Sequence, residues 1–254
     1  MSWLEPLSAQ VEIRDRSGGD CVTDNGAFCF DWLSDNWDRY VDPTIEHLIL
    51  VAVSVIAGFL IAFGLAYLSH RKRWLQPGFT SATGILYTIP SIAFFALLLP
   101  ITGRGTLTGL IALTAFALQI LYRNINTGLN NVPDDVKEAG IGMGMSPNQL
   151  FWKIELPLSV PEIIAGLRIA TVSTVAIATL AVFAGAGGLG GEFTTQIDFK
   201  TNVIFASLIC VTMAIVFDVG LLIVQAFLSP WRSAAVEGKT KSRRAFGMFR
   251  RTAT

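Results

Sequence analysis

Leu48-Ile49-Leu50-Val51-Ala52-Val53-Ser54-Val55-Ile56-Ala57-Gly58-Phe59-Leu60-Ile61-Ala62-Phe63-Gly64-Leu65-Ala66-Tyr67-Leu68 runs for 21 residues without a charge, and the basic flank His70-Arg71-Lys72-Arg73 follows it. A helix needs about 20 mostly apolar residues to cross a hydrocarbon layer about 30 Å thick. The stretch is therefore read as a membrane span. The composition agrees: of 254 residues, 52% are hydrophobic and 15% charged, with a mean hydropathy of +0.54. Soluble domains carry roughly 25% charged residues, so a chain this poor in charge cannot cover a globule for water. A formal net charge of zero supplies no field for phosphates, which excludes nucleic acid as a partner. Three cysteines and two histidines stand apart, so neither a metal site nor a bound cofactor is expected.

Four further stretches have spanning length. Phe79–Ile101 is uncharged and contains Pro90; uncharged runs also lie between Arg104 and Arg123 and between Arg168 and Glu192. The last lies between Lys200 and Arg232 and holds one charge, Asp218. The expectation is an all-α integral membrane protein with five transmembrane helices. Lys and Arg stay on the cytoplasmic side of a membrane. With the amino terminus outside and the carboxyl terminus inside, only Arg14, Arg16, Arg39, Arg104 and Lys200 of the 19 basic residues fall outside. The reverse orientation would invert that ratio.

The chain divides accordingly into an extracytoplasmic segment over 1–46, a membrane domain over 47–229 and a basic cytoplasmic tail over 230–254. The first segment holds 10 of the 19 acids and lacks a basic region followed by a short apolar core, so no cleaved signal is expected. Cys21 and Cys29 are either a disulfide in an oxidising compartment or two free thiols. Trp32, Leu33, Trp37, Tyr40 and Val41 recur at helical spacing, which suits an interfacial helix or an ordinary aromatic belt.

The loop between spans three and four, over 124–161, is long for a connection. Pro133 at a helix start, with Asp134, Asp135 and Glu138 behind it, matches the positive end of a helix dipole. Val136, Ala139, Gly140, Met143 and Gly144 then share one face, kept small for the close approach of another surface. Ser146-Pro147-Asn148-Gln149 has the pattern of a capping box and starts a second helix, with Leu150, Phe151 and Ile154 on its apolar face and Pro157 at its expected end.

Glu138-Ala139-Gly140, then Gly144, then Ile154-Glu155-Leu156-Pro157 resemble the EAA loop of the inner-membrane permeases of bacterial ABC importers. That pattern is E-A-A, three residues, G, nine residues, I-x-L-P, and only Gly140 departs from it. Thr88-Ile89-Pro90-Ser91-Ile92-Ala93, Arg123-Asn124 with Thr127-Gly128-Leu129, and Ala184 through Gly190 are similar to the branch that imports glycine betaine, carnitine and choline as osmoprotectants. The resemblance implies a non-catalytic subunit in the cytoplasmic (inner) membrane. Its partners would be cytoplasmic ABC ATPase subunits, a second permease chain, identical or not, and an extracytoplasmic substrate-binding protein. It implies that Glu138, Ala139, Gly140 and Gly144 dock on the ATPase while Ile154, Leu156 and Pro157 anchor the loop. A permease for another small solute and a secondary transporter are the alternatives; the latter requires internal repeats and buried ion ligands, which the sequence does not offer. A membrane enzyme would need an interfacial cluster of Asp, His or Cys, and His47 and His70 fall at opposite ends of the first span.

Within the spans, Tyr87, Thr88, Pro90 and Ser91 are the candidates for a bend or gate at the translocation path. Gly166, Ala170, Thr174 and Ala178 repeat every four residues, which suits a helix-packing face in lipid or, as the alternative, a face lining the translocation path. Asp218 is expected to pair with a donor in the bundle, since an isolated charge there is unfavourable. The glycine run 185–191 has neither a preceding strand nor a following Lys-Ser/Thr and is no phosphate loop; it reads as a flexible outer loop or a close-packed turn.

Overall fold

The computed structural model describes residues 19–229; the first 18 residues and the tail 230–254 lie outside the described residues. The described residues are almost wholly helical, with no strand among them. In chain order come α1 (Gly19–Thr23), α2 (Phe30–Asp35), a 3-10 turn at Trp37–Tyr40, and α3 (Val41–Arg71). Next are α4 (Gln76–Thr88), α5 (Ser91–Thr102), α6 (Thr106–Asn130) and α7 (Asp134–Gly142). The described residues end with α8 (Pro147–Leu150), α9 (Leu156–Ala178), α10 (Gly190–Thr195) and α11 (Lys200–Leu228).

The helices α3, α6 and α9 form the core, with α4 and α5 against α6 and α11 against α9. The four-residue stripe on α9 is its packing face: Gly166, Ala170, Thr174 and Ala178 are all buried. A side chain at Gly166 would run into Cβ of Asn124 on α6, so Asn124 packs directly onto the α9 backbone there because residue 166 has no Cβ. That is how small residues bring helices together where lipid offers no hydrophobic drive.

Four helical segments are long and apolar enough to cross a membrane: Trp37–Arg71, Thr106–Asn130, Pro147–Ala184 and Lys200–Leu228. The second expected span, Phe79–Ile101, is instead two helices bent by 98°. Proline lacks the N–H that a helix interior needs, and it drives the residue before it out of the helical region. Ile89 (ψ 125°) and Pro90 (ψ 135°) are accordingly both extended. Two extended residues in succession turn the chain rather than merely bending a helix.

The bent pair nevertheless links opposite ends of the bundle. At one end, His70 of α3 meets Glu155, and Gly128 of α6 abuts Ser159. At the other, Gly105 donates its N–H to the Ala184 carbonyl (2.8 Å), and Glu46 accepts from the Gly188 N–H (2.9 Å). The glycine run is thus a close-packed turn, held by a carboxylate from the start of α3.

The amino-terminal segment ties that second end together. Cys21 and Cys29 form a disulfide. The enclosed loop caps α11: the Lys200 N–H donates to Asn25 Oδ1 (3.0 Å), and Thr201 Oγ1 donates to the Gly26 carbonyl (2.8 Å). Arg39 pairs with Glu192 at 2.7 Å, and the Tyr40 hydroxyl donates to Asn202 Oδ1. Trp32 packs edge-on to Phe199, and Tyr40 edge-on to Phe205. These two aromatics of the expected interfacial helix therefore seat against protein; Trp37 also meets Phe205 edge-on at 5.8 Å but stays about half exposed.

The fourth span differs from its expected bounds. It begins before Arg168, because α8, a wide π-type turn at Phe151–Glu155, α9 and a 3-10 turn at Thr179–Ala184 run on as one helical segment. Pro157 sits in the first turn of α9 and does not end a helix. A first-turn residue needs no N–H partner, and the preceding wide turn takes up the break. Arg168 consequently lies within the spanning helix, where it pairs with Asp218.

Candidate functional site

The loop joining α6 to α9 is built from two short helices folded on each other. Pro133 is the N-cap of α7 rather than its first residue, with Asp134 and Asp135 in the first turn. Ser146 accepts from the Gln149 N–H while the Gln149 side chain accepts from the Ser146 N–H, so the capping box expected from the sequence is present. This box fixes where α8 starts and hence the angle between α7 and the long helix that follows.

Gly140 is the point of contact in that fold. It is buried, and a Cβ there would lie 2.7 Å from Leu150 Cδ1 and 2.9 Å from Ile154 Cδ1. The close approach anticipated at the small face is therefore met within the loop itself, by the helix that follows. Gly144 lies past the end of α7 at φ +80°, with open space where a side chain would be. It reverses the chain as a left-handed residue after a helix does, rather than lying on the helical face.

What remains on the outer face of α7 is Glu138 and Ala139, both exposed. Beside them Ile141 and Met143 stand 61% and 69% exposed. Ile154 and Pro157 line a shallow groove with Val136, Lys153 and Leu158, and Leu156 packs inward against the α3–α6 cluster.

The base of the loop is anchored by Phe151, which the sequence places on the apolar face of the second loop helix, and by a pairing of Glu155 with His70 that the sequence does not signal. Phe151 is buried and meets Tyr67 edge-on at 4.9 Å between ring centres, with His70 at 5.6 Å. Glu155 Oε2 lies 2.8 Å from His70 Nε2, with the two side chains 7% and 16% exposed. The Ser159 hydroxyl donates to the Glu155 carbonyl at 2.6 Å. The pair is separated by 85 residues of chain, so no local pattern signals it; the aromatic pair Phe151-Trp152 beside a charge was the only hint.

Of the path candidates, Tyr87, Thr88 and Pro90 are exposed and Ser91 is half-buried at the corner between α4 and α5. Tyr87 and Phe94 both meet Phe116 of α6 edge-on, at 6.3 and 5.5 Å. The corner thus presents a polar edge over an aromatic floor. It lies apart from the loop, and the two candidate regions do not form one site.

Comparison with known proteins matches residues 54–234 to the family described as binding-protein-dependent transport system inner membrane component. The osmoprotectant import permease protein OsmW of Salmonella typhimurium is 34% identical over 207 residues, covering 78% of this chain and 96% of that protein. The choline transport system permease protein OpuBB of Bacillus subtilis is 32% identical over 201 residues, covering 78% and 93%. Among solved structures, the MetNI methionine ABC transporter in an inward-facing conformation superposes with a TM-score of 0.68 at 21% identity, covering 74% of this chain and 95% of that one. At that identity the likeness speaks for the fold.

Proposed function

The chain belongs to the binding-protein-dependent transport system inner membrane components, the permeases of ABC importers, and on that premise we propose that it carries osmoprotectants of the glycine betaine, choline and carnitine class. The observation that carries this reading is identity of 34% along nearly the whole length of an osmoprotectant import permease. The loop supplies the drive: α7 enters a cleft on a cytoplasmic ATPase through Glu138, Ala139 and the exposed tip at Ile141 and Met143. Gly140 and Gly144 set the shape of that lever, and Ile154, Leu156 and Pro157 fix it to the bundle. The bent α4–α5 pair counts as one crossing, giving five, with the amino-terminal end outside and the loop in the cytosol of a bacterial inner membrane. One chain is small for a complete pore, so a second permease chain completes the path, which Tyr87, Thr88, Pro90 and Ser91 face. A binding protein delivers solute from outside. ATP-dependent contacts at the loop then bias the bundle between its outward and inward forms.

The test is reconstitution of this chain with its ATPase and binding protein in proteoliposomes. Uptake of labelled glycine betaine, choline or carnitine above that of methionine is expected, and it should need ATP. Uptake of none of the three by an assembled, ATP-hydrolysing complex would remove the substrate assignment.

A further inference from the structure

We infer that His70 and Glu155 are positioning residues for transport: they form the joint through which the cytoplasmic loop moves the first span. This rests on the reading of that loop as the ATPase-coupling element.

The loop meets the bundle in two ways. It continues directly into α9, and it is strapped sideways to the end of α3. The strap has three parts, all in the wide turn at Phe151–Glu155. Phe151 fills a space against Tyr67 and His70. Trp152 lies over Phe63 and Tyr67, at 6.2 and 6.3 Å. Glu155 reaches the His70 ring at 2.8 Å. A turn closed by i→i+5 hydrogen bonds inside a helix interrupts its regular i→i+4 pattern, and such turns collect at functional positions. Without the strap, force applied at α7 would be absorbed by flexing at this turn before reaching α9.

A packed aromatic contact resists compression but slides. A short hydrogen-bonded pair between largely buried groups fixes direction as well as distance. The His70–Glu155 pair therefore sets the angle between the loop and α3, and the end of α3 is pinned in turn to α6, where the Ser69 hydroxyl donates to Asn126 Oδ1 at 3.2 Å. A push at α7 is delivered to α9, α3 and α6 as one body.

The experiment uses the complete importer, purified as the assembled complex, in proteoliposomes and reads ATP hydrolysed per solute delivered, a ratio that the amount of assembled complex does not change. His70→Ala is expected to raise it about fivefold or more, the lower end of typical coupling strengths. In the H70C/E155C chain, a short bifunctional thiol reagent that reductant removes should restore the wild-type ratio, and its release should raise it again. Wild type treated in parallel accounts for Cys21, Cys29 and Cys210. An unchanged ratio in His70→Ala, or equal ratios in bridged and released H70C/E155C, would overturn the joint. Glu138→Lys separates the two readings: if it leaves ATPase binding intact, the loop assignment itself falls, whereas lost binding together with a normal ratio in His70→Ala removes only the joint.

Discussion

Arg168 grips Asp218 with two parallel hydrogen bonds, Nε to Oδ1 and Nη2 to Oδ2, both at 2.8 Å, joining α9 to α11. The fork of a guanidinium matches a carboxylate in this way, and a lysine would not. The two side chains keep 27% and 33% exposure in the single chain, so the pair is reachable from one side. Asp218→Ala leaves the Arg168 guanidinium without its partner, and Arg168→Ala leaves the Asp218 carboxylate without its own. Removing one partner of such a pair is worse than removing both. The double variant R168A/D218A should therefore unfold at a higher temperature than either single variant. Thermal unfolding of the purified chain, followed by tryptophan fluorescence, checks the order.

Two glycines in the spans should respond oppositely to the same methyl group. At Gly166 a Cβ collides with Asn124, whose own Cβ cannot swing away, so Gly166→Ala should destabilise by about 1–3 kcal/mol. Gly64 faces open space in the middle of α3, and Gly64→Ala should stabilise by about 0.5–1 kcal/mol. Equal effects in the same unfolding assay would contradict the α6–α9 contact described above.

On the loop, shape and docking separate cleanly. Gly144 needs a left-handed backbone, which Asn tolerates and Trp does not, so Gly144→Asn should retain uptake. Glu138→Lys and Ala139→Trp alter only exposed positions and should leave thermal stability within about 0.5 kcal/mol of wild type. Both should abolish stimulation of ATP hydrolysis by the binding protein. Retained stimulation in both variants would count against docking at this face.

What was readable in the sequence follows from which constraints are local. Bilayer thickness dictates apolar run length, so the cores of α3, α6 and α11 stand out between their charged flanks. The Ser146–Gln149 cap is contained in four residues and is equally plain. Pro90 signalled a bend but not its 98° size, because the extended backbone of Ile89 adds to that of Pro90. Pro157 was misread as a stop for the opposite reason: proline suits a first helical turn as well as it ends a helix, and only the neighbouring wide turn decides which. Gly140 looked like a surface for a partner, yet Leu150 and Ile154 of the same loop occupy it. The pairs His70–Glu155, Arg168–Asp218 and Glu46–Gly188 join distant segments, and no periodicity reports them.

The amino-terminal cap yields the last prediction. Cys21 and Cys29 close a loop whose Asn25 serves both sides of the α11 start: its amide donates to the Asp198 carbonyl at 2.8 Å, and its oxygen accepts from the Lys200 N–H. Closing so short a loop removes about 2–3 kcal/mol of unfolded-state entropy. C21S/C29S should lower stability by up to that amount, and Asn25→Ala by about 1 kcal/mol through loss of the cap. A disulfide persists only where the compartment is oxidising, so its presence in protein taken from cells also reports which way the chain faces. Alkylation before and after reduction should add two labels beyond Cys210 only after reduction. Three free thiols in unreduced protein would place this end of the bundle in the reducing cytosol and invert the proposed orientation.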